Sequence, residues 1–158
     1  MRRNRLGAVV AGLALVAGLA FAPTAAADPY EADPDLATRD ADYAAGRRAA
    51  QAGDWPEAVR RYQRAERRHP DHADLHNGLG YAHRQQKQYD TALRHYRRAI
   101  EIDPRHRGAH EYIGETYLLM GDLPAAQRHL DALRSICLLP CDELTDLERA
   151  VAAHAARR

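Results

Sequence analysis

The sequence predicts an all-α solenoid of three stacked helix pairs closed by one further helix at the C-terminal end. Three observations predict it. First, residues 73–106 carry two amphipathic patterns in succession. Leu75, Leu79, Ala82 and His83 recur at helical spacing; after a polar break, so do Ala92, Tyr96, Ala99 and Ile100. Second, the pattern returns on both sides at a 34-residue step. Gly46, Gly80 and Gly114 are in register, as are Ala58, Ala92 and Ala126; Tyr62 and Tyr96 align with Leu130, and Ala65 and Ala99 with Leu133. Third, Pro70 and Pro104 close the first two units, each ring removing a backbone donor and restricting the residue before it. A glycine on the inner face of one helix and an alanine early in the next let their backbones approach. The larger residues then fill the space between neighbouring pairs. No pair can bury its apolar face alone, so the pairs stack.

A 34-residue helix-turn-helix period with these small and aromatic positions resembles the tetratricopeptide repeat, over units 39–72, 73–106 and 107–140. The resemblance implies a right-handed superhelix whose concave groove, lined by the first helix of each pair, holds peptides or partner proteins. Carried onto this chain, the lining takes Asp40, Tyr43, Arg47 and Gln51 from the first unit. It takes Asp74, Asn77, Tyr81, Arg84 and Gln85 from the second, and Glu111, Glu115, Leu118 and Leu119 from the third. Tyrosine and arginine are common anchors at interfaces. Arginines in the first two units and glutamates in the third predict a groove that is electrically polar along its length. The best-known subclass of the family grips a chain-terminal carboxylate with lysines and asparagines. At those places this chain has Tyr43, Arg47, Gly78, Gly108 and Tyr112, so the clamp is absent apart from Arg47.

In chain order, residues 1–27 read as a signal peptide. Arg2, Arg3 and Arg5 form a positive start, an apolar run follows from Leu6 to Ala22, and Ala25-Ala26-Ala27 is a cleavage signal before Asp28. The chain is therefore expected to be exported, periplasmic or secreted, with no stable membrane insertion after cleavage. The alternative is that the 17-residue apolar run is retained as a membrane anchor. Residues 28–38, acidic and proline-interrupted, are expected to be a flexible lead-in. In the turn of the first unit, Asp54 is placed to cap a new helix, with Pro56 in its first turn and Glu57 at its positive end. Gly121-Asp122-Leu123-Pro124 repeats that chemistry; Lys87-Gln88-Tyr89-Asp90 replaces it in the middle unit. Trp55 is expected to pack in the turn between its two helices. Residues 141–158 keep one apolar stripe (Leu144, Leu147, Ala150, Val151, His154), the character of a capping helix.

The composition excludes a nucleic-acid footprint. Acids and bases nearly balance, and once the leader arginines are removed the remainder is slightly acidic. No nucleophile elbow, phosphate-cradling glycine loop or HExxH is present, and Ser135, the lone serine, has no base partner in the sequence. The expectation is a non-catalytic interaction module or scaffold of the cell envelope, with a protein or peptide partner and no cofactor. Among the histidines, His72/His76 and His106/His110 have i, i+4 spacing but straddle helix starts, so packing and solvation are preferred to a metal site. Cys137 and Cys141, so close together in an exported chain, are expected to form a structural disulfide. The alternative is a periplasmic copper- or zinc-handling protein using Cys137, Cys141 and histidines.

Overall fold

The computed structural model describes residues 34–157; the expected signal peptide lies outside the described residues. Within them the chain is all-helical: α1 (Pro34–Arg39), α2 (Ala41–Gln51), α3 (Trp55–Glu66), α4 (Ala73–Gln85), α5 (Tyr89–Ile102), α6 (Arg107–Leu119), α7 (Leu123–Ile136) and α8 (Asp142–Ala155). The tightest packing is within α2/α3, α4/α5 and α6/α7, the three expected pairs, and each pair then stacks on the next through α3/α4 and α5/α6. Helix α8 lies against both α6 and α7, covering the last pair. None of these helices is long and apolar enough to cross a membrane.

The expectation of a flexible lead-in needs correction at its end. Pro34–Arg39 is a short helix, and Leu36 is buried in the first core cluster with Tyr43, Ala58 and Tyr62. One leucine among acids shows no periodicity, but a single apolar side chain suffices to dock a six-residue segment.

The glycine register works by close approach, with one change of partner. A Cβ on Gly46 would sit 2.6 Å from the Tyr62 ring, and one on Gly80 would sit 2.5 Å from Tyr96, so each tyrosine ring lies directly against the backbone of its partner helix. Tyr62 also reaches Gly78 of the next pair, where a Cβ would stand 3.1 Å from it. In the third unit Leu130 is shorter, and the side chain over Gly114 is Leu147 of α8, at 2.6 Å. The cap is thereby seated by the same device that closes the pairs.

Each turn between paired helices needs one left-handed residue, and the three fall at the same repeat position: Gly53 (φ 75°), Lys87 (φ 60°) and Gly121 (φ 80°). Asp54 and Asp122 then cap the next helix, their Oδ1 atoms accepting from the Glu57 N–H at 3.0 Å and the Ala125 N–H at 2.9 Å. Gln88 supplies no side-chain cap to α5. The first helices of the second and third pairs are capped by imidazoles instead: His72 Nδ1 accepts from the Leu75 N–H and His106 Nδ1 from the Ala109 N–H.

The two kinds of backbone demand give opposite outcomes. Lys87→Gly relieves a left-handed conformation that costs a side-chain-bearing residue about 1–2 kcal/mol, so it should raise unfolding free energy by about 1 kcal/mol in a urea titration. Gly80→Ala forces a methyl into the Tyr96 ring and should lower it by about 1–3 kcal/mol. A Gly80→Ala protein as stable as the native one would refute the close approach.

Candidate functional site: the concave face

Helices α2, α4 and α6 touch one another in series, whereas among the described residues α3, α5 and α7 make no such contacts with each other. The array is therefore narrower on the side of the first helices, which form its concave face.

At the centre of that face lies Arg84 of α4. Its guanidinium carbon stands 5.2 Å from the ring centre of Tyr81 and 5.1 Å from that of Tyr112, and Nη1 donates to Glu115 of α6. The aromatic surface extends to both sides: Trp55 meets Tyr81 edge-on at 5.7 Å, and Tyr112 meets Tyr96 at 5.9 Å. Trp55 is thus partly buried where expected, but it also ends an aromatic row running through all three pairs. The Arg84 side chain is only 12% exposed, and its Nε is buried without a partner, as is Oδ1 of Asn77. A cation held between two rings keeps much of its electrostatic stabilisation out of water, and its planar fork still offers a donor.

Beside Arg84 the face opens into a cavity of about 240 Å³ between α4, α6 and α8, with Glu115, Leu118, Leu119, Ala150 and His154 in its wall. Leu119 is 59% exposed at its edge. Glu111, one turn before Glu115, is pushed up to about 8, chiefly by burial and then by Glu115, Asp146 and Glu143, with Arg84 opposing. Near neutral pH that carboxyl is therefore largely protonated.

The structure gathers Tyr81, Arg84, Glu111 and Glu115 but removes other expected residues from the lining. Tyr43 is buried and packs on Tyr62 and His72. Asp40 is a helix cap: its carboxylate accepts from the Asp42 and Tyr43 N–H groups and pairs with Arg68, whose hydrogen bonds hold it well below the usual carboxylate range. Asp74 pairs with Nε2 of His106 at 3.1 Å. Arg47 is exposed, but beside Ala37, Ala44 and Gln51 at the α1 end of the face, away from Arg84. Because Arg84 and Glu115 neutralise each other across the second and third pairs, the expected separation of charge along the groove is lost there.

Away from this face, a polar contact recurs inside each pair at the repeat step. Asp42 meets Arg61 at 3.2 Å, His76 meets His95 at 3.4 Å, and His110 meets His129 at 3.1 Å. Burial pushes His95 and His129 down to about 4. The Ser135 hydroxyl donates to its own helix at Ala132 O. Cys137 and Cys141 have their sulfurs 2.11 Å apart, at disulfide distance, and the intervening Leu138 and Leu139 are exposed.

A curved stack of helix pairs with an aromatic and charged inner face defines a helical-repeat scaffold. Tetratricopeptide repeat profiles match residues 43–107 and 83–136, and the chain belongs to the tetratricopeptide repeat family. No curated protein matches it. Among solved structures it is similar to the TPR2B domain of yeast Sti1 in complex with pHsp70, at 20% identity and a TM-score of 0.70, covering 78% of this chain and 99% of that one. It is also similar to PcrH in complex with the chaperone binding region of PopD, at 25% identity and 0.66, covering 76% and 92%. A third is the Yersinia enterocolitica type III secretion chaperone SycD with a peptide of the translocator YopD, at 20% identity and 0.66, covering 76% and 91%. The likenesses at 20% show the fold.

Glu111 makes stability depend on pH in a stated direction. Its folded pKa, about 8, lies above its ordinary value of 4.5, so between those values the folded chain holds a proton that the unfolded chain releases. Its neutral form carries no penalty below pH 4.5, and stability falls as pH rises through 8. Glu111→Gln should therefore raise the melting temperature at pH 9 and leave it unchanged at pH 4.5. The same shift at both pH values would count against a half-buried, protonated Glu111.

Proposed function

We propose that this chain is a non-catalytic interaction module exported to the bacterial cell envelope, holding an extended segment of a partner protein on its concave face. The observation that carries the reading is Arg84, desolvated between Tyr81 and Tyr112 beside an open cavity edged by exposed Leu119. Half-buried arginine and tyrosine beside an apolar opening are the composition of binding hot spots. A partner segment places an apolar side chain in the cavity between α6 and α8 and offers backbone groups to Asn77 and Tyr81. Similar solved structures support this: PcrH is in complex with the chaperone binding region of PopD, and SycD with a peptide of the translocator YopD. Export rests on the leader sequence, with its arginines, apolar run and small-residue cleavage signal.

In that oxidising setting Cys137 and Cys141 form a structural disulfide tying the end of α7 to the start of α8. The loop is short, so the bond contributes about 2 kcal/mol by constraining the unfolded chain. Cysteines joined in this way offer no thiolate to a metal, so the disulfide and the metal-handling alternative built on free Cys137 and Cys141 exclude each other.

Two experiments test the reading. Leu119→Glu changes an exposed residue, so the fold should survive while capture of the envelope partner drops by about tenfold or more, the effect of losing a hot-spot contact. Equal recovery of every partner by native and Leu119→Glu proteins would sink the groove. Separately, mass spectrometry of alkylated, non-reduced protein from cells should show neither cysteine modified and an N-terminus at Asp28. Two alkylated thiols would overturn the disulfide, and an intact leader would overturn cleavage before Asp28.

A further inference from the structure

The histidine pair of the middle unit differs from its repeat-equivalent in a way that packing does not explain. His76 of α4 and His95 of α5 face each other through their Nδ1 atoms at 3.4 Å, longer than a normal hydrogen bond between nitrogens. Oε1 of Glu66, the last residue of α3, stands 3.5 Å from His76 Nδ1 and 3.9 Å from His95 Nδ1. All three atoms lie within 4.8 Å of one another. A tetrahedral ion with bonds of about 2.0–2.1 Å to nitrogen separates its ligands by about 3.3 Å. The three atoms therefore stand close to three corners of such a tetrahedron.

We propose that Glu66, His76 and His95 bind one zinc-type divalent transition-metal ion, with the fourth position left to water.

The outer contacts suit this role. His76 Nε2–H donates to the Pro70 carbonyl at 2.8 Å, which leaves the lone pair on Nδ1, toward the site. Metal-bound imidazoles are commonly oriented by such a carbonyl on the far nitrogen. The His83 ring lies parallel to His95, 5.4 Å away, and fixes its plane from the other side. His83 itself is held by Gln88 Oε1 at 2.6 Å.

The third unit supplies an internal control. His110 and His129 stand at the same repeat positions, and His110 Nε2 bonds the Pro104 carbonyl at 3.2 Å in the same way. At the position of Glu66, however, that unit has Ile100, and its two Nδ1 atoms close to the hydrogen-bond distance of 3.1 Å. The bare histidine pair is thus a packing contact, and the carboxylate makes the middle pair a ligand set. An ion there would join α3 of the first pair to α4 and α5 of the second, across a stacking interface.

The test uses the full chain, chelator-treated and titrated with Zn2+ by calorimetry and with Co2+ by visible absorption. The expected result is one ion per chain, an intense tetrahedral Co2+ spectrum and a higher melting temperature with Zn2+. Glu66→Gln should weaken Zn2+ binding by more than about tenfold, since losing even an outer partner of a metal ligand costs about 10–100-fold. His129→Gln should leave it unchanged. Glu66 is partly exposed, so its variant is expected to fold, and circular dichroism verifies that. No Zn2+ binding by the native chain, equal binding by Glu66→Gln, or loss of binding in His129→Gln would each overturn the assignment.

Discussion

The packing of this array depends on a side chain, a tyrosine ring in the first two pairs, lying against a backbone with no Cβ. Tyr62 over Gly46 and Tyr96 over Gly80 bring the two helices of a pair closer than any side chain at those glycines would permit. That closeness leaves room for the small residues Ala58, Ala65, Ala92 and Ala99, each fully buried, to face the neighbouring helix. It is how a chain poor in large apolar residues still makes continuous core clusters. Because Tyr62 also touches Gly78, the same ring that closes the first pair sets how the second stacks on it. Local closure and long-range curvature are thus one constraint, as a solenoid of nearest-neighbour contacts requires.

The histidines show how one residue type is divided among roles by its position in the repeat. At unit ends, His72 and His106 accept a backbone N–H and cap the next helix. Four residues on, His76 and His110 are core residues whose outer nitrogen is held by a carbonyl of the preceding turn. The i, i+4 pairs visible in the sequence are therefore not facing pairs. The imidazoles that do face each other, His76 with His95 and His110 with His129, come from different helices.

The inner face carries its charge in a paired and partly desolvated form. Arg84 is shared between two tyrosine rings and Glu115, and Glu111 is held largely neutral by burial and by its acidic neighbours. Charges paired in this way contribute little long-range attraction. At its open end, between α6 and α8, Leu119 remains uncovered.

The helix pairs, their glycine and alanine contacts, the aspartate caps and the apolar stripe of the last helix were legible in the residues alone. All of them follow from local periodicity, repeated at one step along the chain. So was the neighbourhood of Arg84, since position in the repeat assigns a residue to a face. Tertiary structure decided what periodicity cannot express: that Asp40 is consumed by Arg68 and a helix start, that Tyr43 is core, and that Leu147 rather than Leu130 covers Gly114. Each depends on side-chain length and on a partner from another element. The meeting of Glu66, His76 and His95 is of the same kind, since three helices must be packed before their ligand atoms share one point.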